Sequence, residues 1–433
     1  MDKLVIRGGR KLTGTLNVSG SKNTALPLMA GALLAGGRTV IDNIPALRDI
    51  NTFARVISVT GATVDFDAEQ HRMVIDATNV TRPEAPYELV KRMRASFYML
   101  GALLARSGRA RVSLPGGCAW GPRPVDLHIE GMKAFGAEIE LDQGYVVATA
   151  TGGRLRGGSF TLTPSSVGAT VNLLLAASTA SGESRIDNAA CEPDVIVFGD
   201  ALKSMGARIE GLGTRTIHVQ GVDALTAASL RNCPDRIELG TYMIAAAIAG
   251  SPGDRVEIAN TKPEHLGDAF MSAFEETGTA VDIDGTTIGV TPTADLKAVS
   301  IETGVFPGFP TDLQAQWTVL LGHAGGNAKV VEHIYTDRFK HIPELRRMGL
   351  NAIVVGNEVV VEGGSTLSGA QVMSTDLRAS VSLVLAGMIA KGETQVLRVY
   401  HLDRGYENLE GKLAGAGIDI RRERYDEFAD PAS

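Results

Sequence analysis

The triplets Thr60-Gly61-Ala62, Phe135-Gly136-Ala137, Met205-Gly206-Ala207, Thr277-Gly278-Thr279, Met348-Gly349-Leu350 and Ala416-Gly417-Ile418 decide the fold. Their glycines lie 75, 70, 72, 71 and 68 residues apart, a period that composition alone does not produce. Each glycine closes a helix-like run and precedes an apolar strand-like run. Working outward from the first, Thr24 to Ala35 reads as an apolar helix and Arg38 to Asp42 as a strand. Asn43-Ile44-Pro45 reads as a loop, Ile50 to Ser58 as a second helix, and the segments near Thr63 to Phe66 and Met73 to Ile75 as further strands. Six such units are implied. They are too long for a typical small solenoid repeat, so an α/β chain of two compact domains is expected, three helix-sheet units in each, divided near Asn232.

Composition bounds what these domains do. With 433 residues, 44% hydrophobic and 21% charged, the chain is long enough for two proper cores, and fibrous and disordered classes are excluded. A net charge of −7 and a pI near 5.7 argue against nucleic-acid and anionic-membrane partners, while leaving room for a focused anion pocket. Cys118, Cys191 and Cys233 are an odd number with no CxxC pair, which fits reduced thiols better than disulfides or a zinc site. No signal peptide is evident. The longest apolar runs, Leu26 to Leu34 and Ser380 to Ala390, are too short to span a bilayer, so a cytoplasmic protein is expected.

The repeat sorts the polar residues into equivalent places. The start of the first helix carries Lys22, Arg94, Ser166 with Gly168, Glu238, Asp312 and Arg378 in successive units. The loop before the second helix carries Arg48, Cys118 with Arg123, Glu192, His265, Arg338 and Arg404. Free N–H groups and the macrodipole at a helix N-terminus favour anions. Cations there, at Lys22, Arg94 and Arg378, ask for an anionic ligand, or else for carbonyls to cap or nearby acids such as Asp376 and Asp403. The loop Pro115-Gly116-Gly117-Cys118-Ala119-Trp120-Gly121-Pro122-Arg123-Pro124 places a thiol and a guanidinium five residues apart in a segment that cannot be a regular helix or strand. It reads as a lid carrying chemistry, or as a surface turn whose cysteine is incidental.

Gly20-Ser21-Lys22-Asn23, Arg94-Ala95-Ser96, Pro115 to Pro124, Ser166-Val167-Gly168-Ala169-Thr170, Phe309 to Gln316, Asp376-Leu377-Arg378-Ala379-Ser380 and His401 to Glu407 occur in one order along the chain. In these motifs, from about Leu4 to Arg422, the chain resembles the UDP-N-acetylglucosamine 1-carboxyvinyltransferases, the MurA-type enolpyruvyl transferases. The resemblance implies two inside-out α/β barrel domains of three units each. One spans residues 22–232 and carries the cysteine lid; the other combines 1–21 with 233–425, and 426–433 form a tail. It also implies transfer of the enolpyruvyl group of phosphoenolpyruvate to the 3'-hydroxyl of UDP-N-acetylglucosamine, with release of phosphate and no metal or redox cofactor.

By that resemblance Cys118, Asp312, Lys22 and Arg404 are catalytic, with Cys118 the acid that protonates the methylene carbon. A thiol among glycines and cations fits such a role, since neighbouring cations lower a thiol pKa. Asp312 corresponds to the carboxylate at the sugar 3'-hydroxyl, as base or as orienting group; its position alone is also that of an ordinary helix-start residue. Lys22, Asn23, Arg123 and Arg404 correspond to the phosphoenolpyruvate contacts. Arg94, Arg123, Asp126, Leu127, Ser166, Val167, Gly168, Asp312 and Ile334 correspond to the nucleotide-sugar contacts, and Arg48, Arg338 and Arg378 to a second rank of arginines. The chain departs from the pattern at Thr24, usually alanine, at Pro164, often lysine, at Cys191, commonly arginine, and at Ala119-Trp120 in the lid. Two other readings stay open: an enolpyruvyl transferase with a different acceptor, such as shikimate 3-phosphate, and a silent nucleotide-sugar-binding paralogue.

Overall fold

The computed structural model describes residues 1–91, 93–115 and 125–426. The chain forms two compact units, one of Gly20–Cys233 and one combining Met1–Ser19 with the chain from Pro234 onward. The six glycines of the period all adopt positive φ, between +87° and +107°. Each follows the second helix of its unit, where a left-handed residue ends the helix and turns the chain into the outer strand. A side chain there would be strained, which is why glycine recurs and sets the period.

In the unit Gly20–Cys233 the helices Lys22–Gly31, Met99–Ser107 and Val167–Ala177 are buried on nearly every side. Their sequences are apolar all round, the mark of a helix that sits inside a core. Close approach requires small residues: Gly101 N donates to Asn172 Oδ1 at 2.7 Å, and a Cβ on Gly101 would lie 2.4 Å from the Asn172 carbonyl oxygen. The second helices are amphipathic instead. Arg48–Val59 buries Ile50, Phe53, Val56 and Ile57 and turns Arg48, Asn51 and Ser58 to solvent.

Among the described residues there are six sheets, and all have four strands in one order. A short strand pairs parallel with a central strand, which pairs antiparallel with a third, which pairs antiparallel with an outer one. Arg38–Asp42 lies between Ser229–Arg231, parallel, and Arg72–Asp76, antiparallel, in a register that sets Ile41 opposite Met73. Both are fully buried, while the alternate residues face outward. The sheets are six separate ladders, and no continuous hydrogen-bonded barrel joins them among the described residues.

In the second unit the buried helices are Arg236–Ala249, Gln314–His323 and Val381–Ile389. Trp317 packs edge-on to Phe309 and Phe270, with centroids 5.2 and 5.9 Å away. Two strands of this unit come from the chain's beginning. Asp2–Arg7 pairs with Glu393–Leu397 and Asp419–Arg424, and Thr15–Asn17 pairs with Val256–Ala259.

The expected elements of the first repeat are present with shifted ends. Its first helix starts at Lys22, before Thr24, because the Ser21 hydroxyl caps it, and it ends as a 3-10 turn, Ala32–Leu34. The second begins at Arg48, ahead of the apolar periodicity. No helix among the described residues is long and apolar enough to cross a membrane.

Candidate active site

In the unit Gly20–Cys233, Ser21 Oγ accepts from Thr24 N at 3.2 Å and opens the helix Lys22–Gly31. Lys22 is 6% exposed, and its Nζ lies 3.4 Å from Asp49 Oδ2. A buried ammonium needs such a partner. Asp49 stands in the first turn of Arg48–Val59, where the helix dipole favours a carboxylate. The same helix start is tied to a third helix. Ser21 Oγ and Thr24 Oγ1 both donate to Asp194 Oδ1, at 2.9 and 2.6 Å, and Asp194 lies in the first turn of Pro193–Ser204.

His128, on the helix Asp126–Ala134, is buried beside the turn Ser166-Val167-Gly168. Asn172 Oδ1 accepts from Gly101 N, so its amide group donates, to Phe97 O at 3.0 Å and to His128 Nδ1 at 2.9 Å. The network thereby assigns the imidazole proton to Nε2. Burial first, and the positive charge of Arg94 second, lower the His128 pKa to about 3. A Cβ on Gly168 would lie 3.4 Å from Nε2, so glycine leaves the space in front of a neutral N–H donor.

In the other unit Arg338 is 5% exposed and lies between two carboxylates. Its Nη1 is 2.7 Å from Asp312 Oδ1, and its Nη2 is 3.6 Å from Asp376 Oδ1. Burial opposes the charge, but Asp312 and Asp376 outweigh it and the pKa is raised. For Asp376 burial acts upward, while Arg338 and the N–H groups of Ala379 and Arg378 act downward and prevail. Arg338 is held from behind: Gln314 Nε2 donates to its carbonyl at 2.7 Å, and its Nη1 donates to Thr311 Oγ1 at 3.1 Å. Thr311 in turn donates to the buried Glu332, which also accepts from Ile334 N and Tyr335 N. The Asp312 side chain, 27% exposed, is the open member of this group.

Arg378 is 1% exposed. Its Nη2 donates to Asp235 Oδ2 and its Nη1 to Gly405 O, both at 2.8 Å, and its guanidinium lies 5.1 Å from the Tyr406 ring centroid. Asp235 Oδ1 meanwhile caps the helix Arg236–Ala249 through Ile237 N and Glu238 N. The cation at this place in the repeat thus has an anionic partner, Asp235, within its own unit. Of the acids considered as its partner, Asp376 takes its backbone N–H and Asp403 pairs with Arg422 at 2.6 Å.

Cys118 and Arg123 lie outside the described residues, as do Ala119 and Trp120. Asn23 and Arg94 are half-buried and Arg48 is exposed, each within the first residues of its helical segment. Asp126 is exposed and Leu127 half-buried at the start of the helix that carries His128. Ile334 and Arg404 are half-buried. Cys191 and Cys233 are buried, and burial pushes the Cys191 thiol up. Pro164 is exposed.

Sequence reasoning missed His128, Asp49, Asp194 and Asp235. A signal existed for two of them: every second helix carries an acid in its first turn, Asp49, Asp126, Asp194, Asp268, Glu344 and Glu410. For His128 and Asp235 the partners lie far along the chain and no local pattern marks them.

The chain matches the model of the EPSP synthase (3-phosphoshikimate 1-carboxyvinyltransferase) family over residues 6–413. It is 50% identical over 432 residues to the UDP-N-acetylglucosamine 1-carboxyvinyltransferase of Chloroherpeton thalassium, covering 100% of this chain and 99% of the relative. The chain belongs to the UDP-N-acetylglucosamine 1-carboxyvinyltransferase family. A second member, from Chlorobaculum parvum, is 50% identical over 430 residues, covering 99% of this chain and 100% of the relative. Among solved structures, the enolpyruvyl transferase NikO from Streptomyces tendae aligns with a TM-score of 0.87 at 27% identity, over 97% of this chain and 98% of that one. EPSP synthase from Acinetobacter baumannii aligns with a TM-score of 0.75 at 17% identity, over 98% and 100%, a likeness of fold alone. The α/β architecture is the enolpyruvyl transferase fold, and this member of the family carries it end to end.

Proposed function

We propose that this chain transfers the enolpyruvyl group of phosphoenolpyruvate to the 3'-hydroxyl of UDP-N-acetylglucosamine, releasing phosphate, in the cytoplasm. The product feeds peptidoglycan synthesis and so cell-wall growth, cell shape and division. The observation that carries this reading is the 50% identity, over the whole chain, to relatives bearing that name. Domains at 22–232 and at 1–21 with 233–425 belong to this proposal, and the compact units, divided at Gly20 and after Cys233, support bounds within two residues of these.

The chemistry divides among named groups. The Cys118 thiol gives its proton to the methylene carbon, and the sugar hydroxyl adds to the neighbouring carbon as it loses its own proton. Lys22, Asn23, Arg123 and Arg404 hold the phosphate and carboxylate of phosphoenolpyruvate; the new methyl group then gives up a proton as the C–O bond to phosphate breaks, so that the enolpyruvyl double bond re-forms and inorganic phosphate leaves. Asp312 meets the hydroxyl. Its bond from Arg338 at 2.7 Å supports an orienting role, since the ion pair fixes the carboxylate in one rotamer. Arg94, Asp126, Leu127, Ser166, Val167, Gly168 and Ile334 contact the nucleotide sugar, and Arg48 and Arg338 support the charged site.

Phosphate release from phosphoenolpyruvate tests the acceptor. Turnover is expected with UDP-N-acetylglucosamine and none with shikimate 3-phosphate; the reverse, or none with either, refutes the proposal. Fosfomycin, an epoxide analogue of phosphoenolpyruvate and the expected inhibitor, should alkylate Cys118 when the nucleotide sugar is present. A label found on Cys191 or Cys233 by mass spectrometry would reject the role given to Cys118.

A further inference from the structure

Because the six sheets share one strand order, their six outer strands occupy equivalent edge positions and act as controls for one another. An exposed edge offers unpaired N–H and C=O groups to other chains, and natural proteins blunt it with charge. Five of the six are blunted in this way. Thr63–Asp67 carries Asp65 and Asp67, Ala137–Asp142 carries three acids, Arg208–Glu210 carries both signs, Ala280–Asp284 carries Asp282 and Asp284, and Asp419–Arg424 is mostly charged. The sixth, Ala352-Ile353-Val354-Val355, carries none. Ile353, Val354 and Val355 are nonetheless 60%, 42% and 57% exposed.

The backbone of this strand is phased for pairing. It forms a hairpin with Glu358–Glu362 through the turn Gly356-Asn357, with Gly356 at φ +60° and Ile353 opposite Val360. Glu362 N donates to Asn351 O at 3.0 Å, so Ile353 and Val355 turn their polar groups into the sheet. Ala352 and Val354 then direct theirs out of it. On the outer face Ile353 adjoins Val360, itself 41% exposed, and Val360 adjoins Lys329, whose charge is matched by Glu358 at 3.1 Å. The patch is apolar and has no net charge.

We infer that the strand Ala352–Val355 pairs antiparallel with the same strand of a second copy of this chain, joining two four-stranded sheets into one across a two-fold axis. A self-complementary contact must oppose like with like. The outer strands with Asp65 and Asp67, or with Asp282 and Asp284, would set acid against acid, whereas this strand opposes only apolar groups. With Ile353 facing its own symmetry mate, Ala352 faces Val354 on both sides of the axis, and about four main-chain hydrogen bonds satisfy the outward groups. A strand of 4 residues and one apolar stripe fall short of the roughly 800 Å² per partner of a standard interface, so the association is weak and needs micromolar protein or more.

Sedimentation equilibrium of the full chain over a hundredfold range of concentration tests this. The wild type should shift from monomer towards dimer. The variant Ile353→Asp/Val355→Asp, which copies the charged pattern of the sister strands at two exposed positions, should weaken association at least tenfold and leave turnover unchanged. The variant Ile353→Cys should form a disulfide-linked dimer with diamide, which takes up the two electrons and two protons, and Lys329→Cys should not exceed the wild-type background. A wild type that stays monomeric, with the strand free for some other partner, overturns the inference. So does a dimer that survives the double substitution, or a failure of the Ile353→Cys variant to cross-link.

Discussion

Replacing Arg378 with methionine should expose how much of the second unit rests on one buried ion pair. The guanidinium is 1% exposed and satisfies Asp235 and Gly405 O together. Methionine fills much of the volume and leaves two acceptors without donors, one of them ionised. Breaking a buried pair from one side costs about 3–5 kcal/mol, and an orphaned buried carbonyl adds about 1–3 kcal/mol. Set against the 5–15 kcal/mol of a typical folded domain, that is a large part of the whole. The loss is expected to be non-additive. With Asp235→Asn in place, the neutral amide still offers an oxygen to Ile237 N and Glu238 N, and no buried charge remains. The double variant Arg378→Met/Asp235→Asn should therefore be more stable than the single Arg378→Met. Trp317 reports on this unit because it is fully buried within it, so urea unfolding is best followed by tryptophan fluorescence in a Trp120→Phe background. A loss below about 1 kcal/mol for Arg378→Met, or a double variant that loses the sum of the singles, would refute the pairing argument.

Three further outcomes follow from the site geometry. His128 and His341, the latter buried at the N-cap of the helix Ile342–Arg347, are both held neutral by burial, with pKa values lowered to about 3 from an ordinary 6.5, so their contribution is present above pH 6.5 and lost as pH falls towards 3. Each should cost about 2 kcal/mol by pH 5, and replacing either with asparagine should flatten the urea midpoint between pH 8 and 5; an unchanged slope counts against it. Thr24→Ala removes the hydroxyl that donates to Asp194 at 2.6 Å and should lower stability by about 1–2 kcal/mol, a urea midpoint equal to wild type being the contrary result. Asp312→Asn should reduce kcat by about 10²-fold or more with unchanged circular dichroism, and a threefold effect would remove Asp312 from the catalytic set.

The repeat was legible because it depends on a backbone need. Gly61, Gly136 and their four counterparts all sit at positive φ after a helix, and only glycine fills that place without strain. Buried first helices were legible for a similar reason, since Leu26 to Leu34 is apolar on every face. What stayed hidden is pairing over distance. Asp235 and Arg378 are 143 residues apart, and nothing near either one announces the other. The cation at Arg378 looked like a ligand site because the sequence displays the charge and conceals its partner. His128 was overlooked for the converse reason: its neutrality comes from Phe97, Asn172 and the surrounding core, and not from its neighbours in sequence.

The pairing of Asp2–Arg7 with Asp419–Arg424 has a consequence for synthesis. On the ribosome the unit Gly20–Cys233 can complete its sheets once Ser229–Arg231 has emerged, with half the chain still unmade. The first nineteen residues cannot be used so early. Thr15–Asn17 can pair once Val256–Ala259 has emerged, but Met1 bonds to Tyr425, 424 positions later, so Asp2–Arg7 must wait, tethered and unmatched, until translation is nearly over. A premature stop or a stalled ribosome would thus leave one finished unit joined to an exposed N-terminal strand. That strand is where a quality-control protease or a chaperone would find an incomplete copy.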